Sequence, residues 1–131
     1  MKETMDFLRE AGTFYLATVD GDQPRVRPFG AVSEYEGKLY ILTSNEKDVY
    51  RQIQKNSKVE ISGMNQSGKW IRLMAELVVD DRYDAKKAML DQNPSLRSMY
   101  SEDDAKAEVL YFKNATATIC SFTEAPVIYR F

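Results

Sequence analysis

Turn signals between short strand-like runs constrain the fold of this chain more than any other feature. The run "TFYLATV" leads into Asp20-Gly21-Asp22, and Glu36-Gly37 stands immediately before "KLYILTS". Gly next to Asp or Glu between two apolar runs is typical of a tight β-hairpin. We therefore predict that the first three strands form an antiparallel meander. These predicted strands are 13–19, 24–35 and 38–44.

Helices interrupt the strands without a regular alternation. Asn45 can cap a helix over 45–56 with Asp48 at its third position, and Gly12 can end a helix that begins near the N-terminus. Because strands and helices do not alternate, a parallel α/β sheet is disfavoured. We predict one domain, 1–131, that is mainly β with helices (α+β) and built on an antiparallel barrel. The later strands are predicted at 57–64, 68–81 and 108–122, the later helix at 81–93, and a last extended piece at 125–131.

Composition excludes several classes of function. The net charge is −2, which disfavours a general nucleic-acid binder. The chain has no histidine, which excludes Ser-His and Cys-His nucleophile pairs and most zinc sites. Any chemistry must then come from a cofactor, or from carboxylates, lysines and tyrosines. The single cysteine and the lack of a long apolar run favour a cytoplasmic protein without a membrane segment.

The stretch "DQPRVRPFG" places two arginines on one strand face. Arg25 and Arg27 are two residues apart, so they project to the same side of a strand. Pro28 cannot donate a ladder hydrogen bond, which indicates an edge, a bulge or free backbone. Paired guanidinium groups beside free backbone suit an anion such as phosphate. A solvated strand face is the other explanation, and spacing alone favours it.

The stretch "LTSNEKD" is a second candidate for anion binding. Thr43 and Ser44 end a strand and lead into the N-terminus of the predicted helix, where free N–H groups collect. Lys47 falls in the first turn of that helix, a position where a cation is disfavoured unless an anion compensates. Glu46 or Asp48 can supply that compensation, and so can a bound phosphate. Since the second and third strands are predicted neighbours, Arg25 and Lys47 can converge on one anion.

Other residues give weaker signals. Trp70 at the start of a strand suits either core packing or the wall of a flat-ring site. Cys120 lies in an alternating apolar strand and is read as structural. Asp103 and Asp104 are read as part of a solvated loop, and we predict no metal site. No residue has the partners of a catalytic acid or base.

The segment Ala17 to Ile61 resembles the pyridoxamine 5′-phosphate oxidase-like family of flavin-binding split barrels. "PRVRP" matches that family's Pro-x-x-Arg-Pro, and a strand ending in Thr and a lysine-bearing helix follow in the same order. The resemblance continues through "WIRLMAELVVDD". It implies a six-stranded antiparallel split barrel and a homodimer that binds FMN at the subunit interface. "NS" at 56–57 replaces the usual Asn-Pro, and the C-terminal "VIYRF" lacks an Arg-x-His. The short, "related protein" branch is therefore closer than the true oxidases.

The family pattern also implies the residues that would hold FMN. The strand segment would line the ring and the ribityl phosphate, the helix start would hold the phosphate and ribityl chain, and the tryptophan would come from the other subunit. These residues are Arg25, Val26, Arg27 and Pro28, then Leu42, Thr43, Ser44, Asn45 and Lys47, and finally Trp70.

The resemblance implies a flavin-dependent oxidoreductase, in which the flavin takes hydride from a donor such as a reduced nicotinamide. The protein would supply binding and orientation, which suits a chain without histidine. Three alternatives stay open. The chain can be a non-catalytic flavin protein for storage, sensing or electron transfer. It can also bind a deazaflavin, or haem, on the same barrel.

Overall fold

Eight strands form one antiparallel sheet, and three α-helices pack against it. The computed structural model describes all residues, Met1–Phe131. The helices are α1 (Lys2–Ala11), α2 (Asp48–Lys55) and α3 (Tyr83–Gln92), and a 3-10 helix spans Pro94–Ser98. The strands are β1 (Phe14–Asp20), β2 (Gln23–Phe29), β3 (Val32–Tyr35), β4 (Lys38–Ser44), β5 (Lys58–Met64), β6 (Trp70–Asp80), β7 (Ala107–Cys120) and β8 (Val127–Arg130). None of the helices has the length and apolar character needed to cross a membrane.

The sheet follows the order β2-β1-β5-β6-β7-β4-β3, and β8 pairs with β7 outside this path. Its two edges are β2 and β3, yet only Gly30 and Ala31 separate these strands in the chain. Three peptide units span at most about 11 Å. The sheet must therefore curl until its edges come close, without any hydrogen-bonded pairing that would close it. The α+β antiparallel architecture predicted from the sequence is confirmed.

The predicted strand 24–35 is two separate strands, so the predicted meander of the first three strands is wrong. β2 pairs with β1 in register from Asp20↔Gln23 to Phe14↔Phe29, whereas β3 pairs with β4. β2 and β4 are not neighbours. Residues 28–32 are the apolar run Pro-Phe-Gly-Ala-Val, and a lone glycine in such a run does not reveal a change of strand partner. This break and the pairing of the C-terminal piece give eight strands where the resemblance implied six.

Both predicted hairpin turns are confirmed. Asp20 pairs with Gln23 across a two-residue loop in which Gly21 has φ 64°. Tyr35 pairs with Lys38 across Glu36 (φ 49°) and Gly37 (φ 74°). Two consecutive positive φ values are those of a type I′ turn, which matches the twist of a hairpin and explains the glycine. The proline prediction also holds, because Pro28 lies in the edge strand β2.

The core lies between the curled sheet and its helices. β5 alternates buried and exposed residues along its whole length, as expected for a strand with one face on a core. Leu8 of α1 and Ile53 of α2 are buried in the same cluster as Leu16, Ile61 and other sheet residues. Burial of each such side chain contributes about 1.5–3 kcal/mol.

A polar network joins the end of β6 to β4 and to the start of α3. Asp80 is 7% exposed, and its Oδ2 accepts a hydrogen bond from the Tyr40 hydroxyl at 2.7 Å. The Arg82 guanidinium donates to both carboxylate oxygens at 3.0 and 2.9 Å, and also to Glu36 at 3.0 Å. The bonds from Arg82, more than that from Tyr40, lower the pKa of Asp80 from 3.8 to about 2. Burial raises the pKa of Tyr40.

The first prediction concerns the stability that Asp80 contributes. Because its folded pKa lies below its unfolded value, this contribution is complete above about pH 5 and is lost as pH falls toward 2. The shift corresponds to about 2.4 kcal/mol at pH 7, of which about 1 kcal/mol is lost by pH 3. Urea unfolding of wild type and Asp80→Asn from pH 7 to pH 3 should show their stability difference shrinking by that amount.

The control for this experiment is Asp6→Asn, which removes an exposed carboxylate paired with Lys2. Exposed pairs contribute about 0–1 kcal/mol, so this variant should differ little from wild type at either pH. An Asp80→Asn difference that stays constant from pH 7 to pH 3 would contradict the assignment of the lowered pKa to Asp80.

Candidate functional site: a basic cavity between strand β2 and helix α2

Helix α2 is oriented by its apolar side. Val49 and Ile53 are buried against the core, and the next cations along the helix, Arg51 and Lys55, lie on the opposite side because successive residues turn by about 100°. Lys47 is the residue immediately before the first helical residue. The N-cap is Lys47 and not the predicted Asn45, so the helix begins two residues later than predicted and Lys47 does not lie in the first turn.

Arg27 of β2 points toward this helix and is held by neutral acceptors. Its Nη1 donates to Thr18 Oγ1 at 2.7 Å and to the Leu16 carbonyl at 3.3 Å. Its Nη2 donates to Gln52 Oε1 at 2.6 Å, which also accepts from the Thr18 hydroxyl at 2.6 Å. Burial, and then the neighbouring charge of Arg25, lowers the pKa of Arg27. Arg27 is thus a fixed, partly desolvated cation with no carboxylate partner.

The space between β2 and α2 is a cavity of about 650 Å³, which we call the basic cavity. Two carboxylates line it, and each is already paired: Asp20 with Arg25 at 3.2 Å, and Asp48 with Arg51. Three further cations have no carboxylate partner, so the cavity carries an excess of positive charge suited to an anion. The lining cations are Arg25, Arg27, Lys47, Arg51 and Lys55.

A second cavity of about 380 Å³ adjoins the first, and we call it the half-apolar cavity. The two share Arg27, Lys47 and Val49. Thr43 also lines it, and its Oγ1 has no hydrogen-bond partner although the residue is only 3% exposed. A buried hydroxyl without a partner costs about 1–3 kcal/mol. The apolar part of the lining comprises Pro28, Phe29, Ala31, Leu42, Val49, Leu96 and Met99, and Tyr100 lies beside it.

Comparison with known proteins agrees with this fold. The family model described as "Pyridoxamine 5′-phosphate oxidase" matches residues 1–117. The chain belongs to the pyridoxamine 5′-phosphate oxidase-like family. A NimC/NimA family protein from Clostridium acetobutylicum is 54% identical and superposes with a TM-score of 0.98, covering 100% of this chain and 92% of that one. No curated protein matches the chain.

Two more distant structures of this family's fold differ in what their descriptions say they bind. A pyridoxamine 5′-phosphate oxidase-related, FMN binding protein from Nostoc punctiforme is 13% identical, with a TM-score of 0.63 over 98% of this chain and 92% of that one. A heme binding protein from Mycobacterium smegmatis is also 13% identical, with a TM-score of 0.71 over 94% of this chain and 57% of that one. At this identity both show the fold alone.

Most residues that the family pattern implied for FMN line these two cavities. Arg25 and Lys47 were predicted to converge on neighbouring strands, which is wrong because β2 and β4 are not neighbours. They converge because α2 packs against β1, the strand paired with β2. The residues that line one or both cavities are Arg25, Val26, Arg27, Pro28, Leu42, Thr43 and Lys47.

Two residues before α2, Ser44 and Asn45, form hydrogen bonds away from the two cavities. Asn45 does not cap α2: its Nδ2 donates to the Ala105 carbonyl at 2.9 Å and to Glu108 at 3.1 Å. Ser44 Oγ accepts from the Glu46 N–H at 3.2 Å. Neither residue lines the two cavities.

Trp70 lies elsewhere on the same chain. Its ring packs on Phe122 at 4.9 Å between centroids, and both line a cavity of about 400 Å³ with Tyr15. Tyr15 and Asp20 are at opposite ends of β1, about 17 Å apart, and Asp20 lines the basic cavity. Trp70 therefore does not join the basic cavity of its own chain.

Sequence reasoning missed the residues that α2 and the segment after α3 contribute. Arg51 and Lys55 line the basic cavity, and Met99 and Tyr100 line the half-apolar one. The spacing of Lys47, Arg51 and Lys55 at four residues was a visible signal of one helix side. The role of Gln52 had no signal, because nothing in the sequence distinguishes it from Gln54 in the same helix.

The second prediction tests the unpartnered hydroxyl of Thr43. Replacing it with the nearly isosteric valine in Thr43→Val removes a buried polar atom that makes no bond. The free energy of unfolding, measured with urea, should stay the same or rise by up to about 1 kcal/mol. Ser33→Ala is a matched control, since Ser33 Oγ is also buried and unpartnered. A loss of more than about 1 kcal/mol in Thr43→Val alone would show that its hydroxyl is bonded within the protein.

Proposed function

We propose that this protein binds FMN, with the phosphate between Arg27 and Lys47 in the basic cavity and the ring in the half-apolar cavity. The observation that carries this proposal is the position of Arg27. It is a cation held only by neutral acceptors, and it lines both cavities. Membership of the family supports the same cofactor.

The chemistry of the basic cavity fits a phosphate. An arginine fork binds phosphate oxygens with two parallel hydrogen bonds, and Arg27 already has its orientation set by Thr18 and Gln52. Lys47 precedes the first N–H groups of α2, which have no partner within the helix and favour an anion. A phosphate would compensate both unpaired charges at once.

The half-apolar cavity fits a flat ring with polar edges. About half of its lining residues are apolar, as is usual for sites that bind aromatic cofactors. The Thr43 hydroxyl offers a hydrogen bond that no protein group uses. Because Oγ1 itself has almost no exposed surface, the Thr43 side chain must turn its hydroxyl toward the cavity before a ring oxygen or nitrogen can satisfy it.

We further propose that the protein is a flavin-dependent oxidoreductase. A bound flavin supplies hydride transfer, and a reduced nicotinamide is the donor we expect. The side chains of this chain bind, orient and exclude water, and none needs to act as an acid or base. We also propose a cytoplasmic homodimer in which Trp70 of the second subunit approaches the ring.

The third prediction tests the cofactor. Titration of the flavin-free protein with FMN and with riboflavin should give much tighter binding of FMN, because only FMN carries the phosphate. Arg27→Gln with Lys47→Gln should weaken FMN binding about 100-fold or more, as expected for the loss of two charge-assisted contacts. Riboflavin binding should change little in this variant.

The matched control is Arg72→Gln with Lys113→Gln. It also removes one arginine and one lysine, and both residues are exposed and away from the two cavities. Its affinity for FMN should equal that of wild type. Equal affinities of wild type for FMN and riboflavin would refute the phosphate site. An absorption band typical of haem in the purified protein would favour the haem-binding alternative.

The fourth prediction separates the ring site from the phosphate site. Thr43→Val should weaken both FMN and riboflavin by about 5- to 30-fold, the effect of losing one or two kcal/mol of hydrogen bonding. Ser33→Ala should leave both affinities unchanged. If Thr43→Val affects neither ligand, the ring does not bond the Thr43 hydroxyl, and its proposed position beside Thr43 is wrong.

Catalysis is tested by anaerobic addition of NADH or NADPH to the FMN-loaded protein. Loss of the oxidised flavin absorbance at a rate well above that of free FMN supports the oxidoreductase. A protein that binds FMN but shows no faster reduction is a non-catalytic flavin binder.

A further inference from the structure

The basic cavity is larger and more cationic than one phosphate requires. A phosphoryl group fills roughly the space of two or three water molecules, at about 30 Å³ each in the liquid, whereas the cavity holds about 650 Å³. Arg27 and Lys47 together match the charge of one phosphate. Arg25, Arg51 and Lys55 are then left over in the same cavity.

The surplus cations extend away from the half-apolar cavity. Lys47 lines both cavities, whereas Arg51 and Lys55 line the basic cavity alone. Along α2 they lie about 6 Å and 12 Å beyond Lys47. A ligand that starts in the half-apolar cavity and passes Lys47 would meet Arg51 next and Lys55 last.

The acidic partners of the surplus cations do not block this path. Arg51 pairs with Asp48, and Arg25 pairs with Asp20, with all four side chains about half exposed or more. Exposed ion pairs of this kind contribute only about 0–1 kcal/mol. An incoming anion can therefore replace Asp20 and Asp48 as partners of the two guanidinium groups at a small cost in free energy. Lys55 has no acidic partner to exchange.

We propose that the α2 end of the basic cavity binds a second phosphoryl group that is part of the flavin ligand, so that the site accepts a flavin dinucleotide (FAD). This inference rests on the proposed flavin function. The first phosphate lies between Arg27 and Lys47, the second faces Arg51, and the adenosine lies along α2 toward Lys55. The unfilled volume of the basic cavity accommodates this adenosine.

The test compares FMN and FAD by calorimetric titration of the flavin-free protein. Wild type should bind FAD at least as tightly as FMN. Arg51→Gln with Lys55→Gln should weaken FAD about tenfold or more and change FMN less than about threefold, because only FAD reaches these residues. Arg72→Gln with Lys113→Gln is the control and should change neither affinity.

Each outcome distinguishes this inference from the proposed function. FAD binding more than about tenfold weaker than FMN binding in wild type, or equal losses for both ligands in the Arg51/Lys55 variant, overturns the second phosphate site and leaves FMN binding intact. If neither ligand binds wild type, the proposed function falls and the inference falls with it.

A comparison on wild type alone keeps the inference testable if the double variant is unstable. The terminal phosphate of FMN carries nearly two negative charges at pH 7, whereas the two phosphates of FAD carry one charge each, so the phosphate beside Arg27 is less charged in FAD. FAD binding as tight as FMN binding therefore requires contacts beyond the first phosphate. FAD binding more than about tenfold weaker would overturn the second phosphate contact.

Discussion

Burial of Val49 and Ile53 fixes the rotation of α2 about its axis, and the candidate site depends on that rotation. These two side chains lie in the core cluster, and their burial contributes about 1.5–3 kcal/mol each. Because the apolar side of the helix must face the core, Arg51 and Lys55 must lie on the other side, where they line the basic cavity with residues of β2. The same packing places Gln52 where it can accept a hydrogen bond from Arg27 at 2.6 Å. The packing that buries Val49 and Ile53 therefore also sets the positions of the charged side chains on the other side of α2.

The open edge of the sheet supplies the other wall of the site. β2 has no strand on its outer side, and its prolines Pro24 and Pro28 cannot donate to one. An edge strand with free backbone and long cationic side chains can meet a ligand rather than another strand. The two residues between β2 and β3 then return the chain to the opposite edge, so that the half-apolar cavity opens beside Gly30 and Ala31.

The sequence predicted turns better than it predicted which strands pair and which residues form hydrogen bonds. The hairpin turns at Gly21 and Gly37 were predictable because positive φ values favour glycine. Pairing of β2 with β1 followed from the first of these turns. The break at residues 30–31 was not predictable, because residues 28–32 form an apolar run without the acidic residues that accompany glycine in the two hairpin turns. The helix start was misplaced because Asn45 looked like a cap, whereas its amide bonds to residues some 60 positions later in the chain.

The site was predictable to a similar extent. Arg25, Arg27 and Lys47 were named from charge, spacing and a family pattern, and they line one cavity. The pattern could not show that Thr18 and Gln52 hold Arg27, since Gln52 lies 25 residues beyond Arg27 in the chain and reaches it only through the packing of α2. The pattern also said nothing of Arg51 and Lys55. Those two cations become part of the site only through the rotation of α2.

The central claim is that Arg27 and Lys47 hold the phosphate of a flavin. A crystal structure of the protein grown with FMN tests it most directly. The account predicts phosphate oxygens about 2.8 Å from the Arg27 guanidinium and the Lys47 ammonium, with the isoalloxazine ring in the half-apolar cavity beside Thr43. A phosphate bound away from both residues, or a ring outside that cavity, would contradict it.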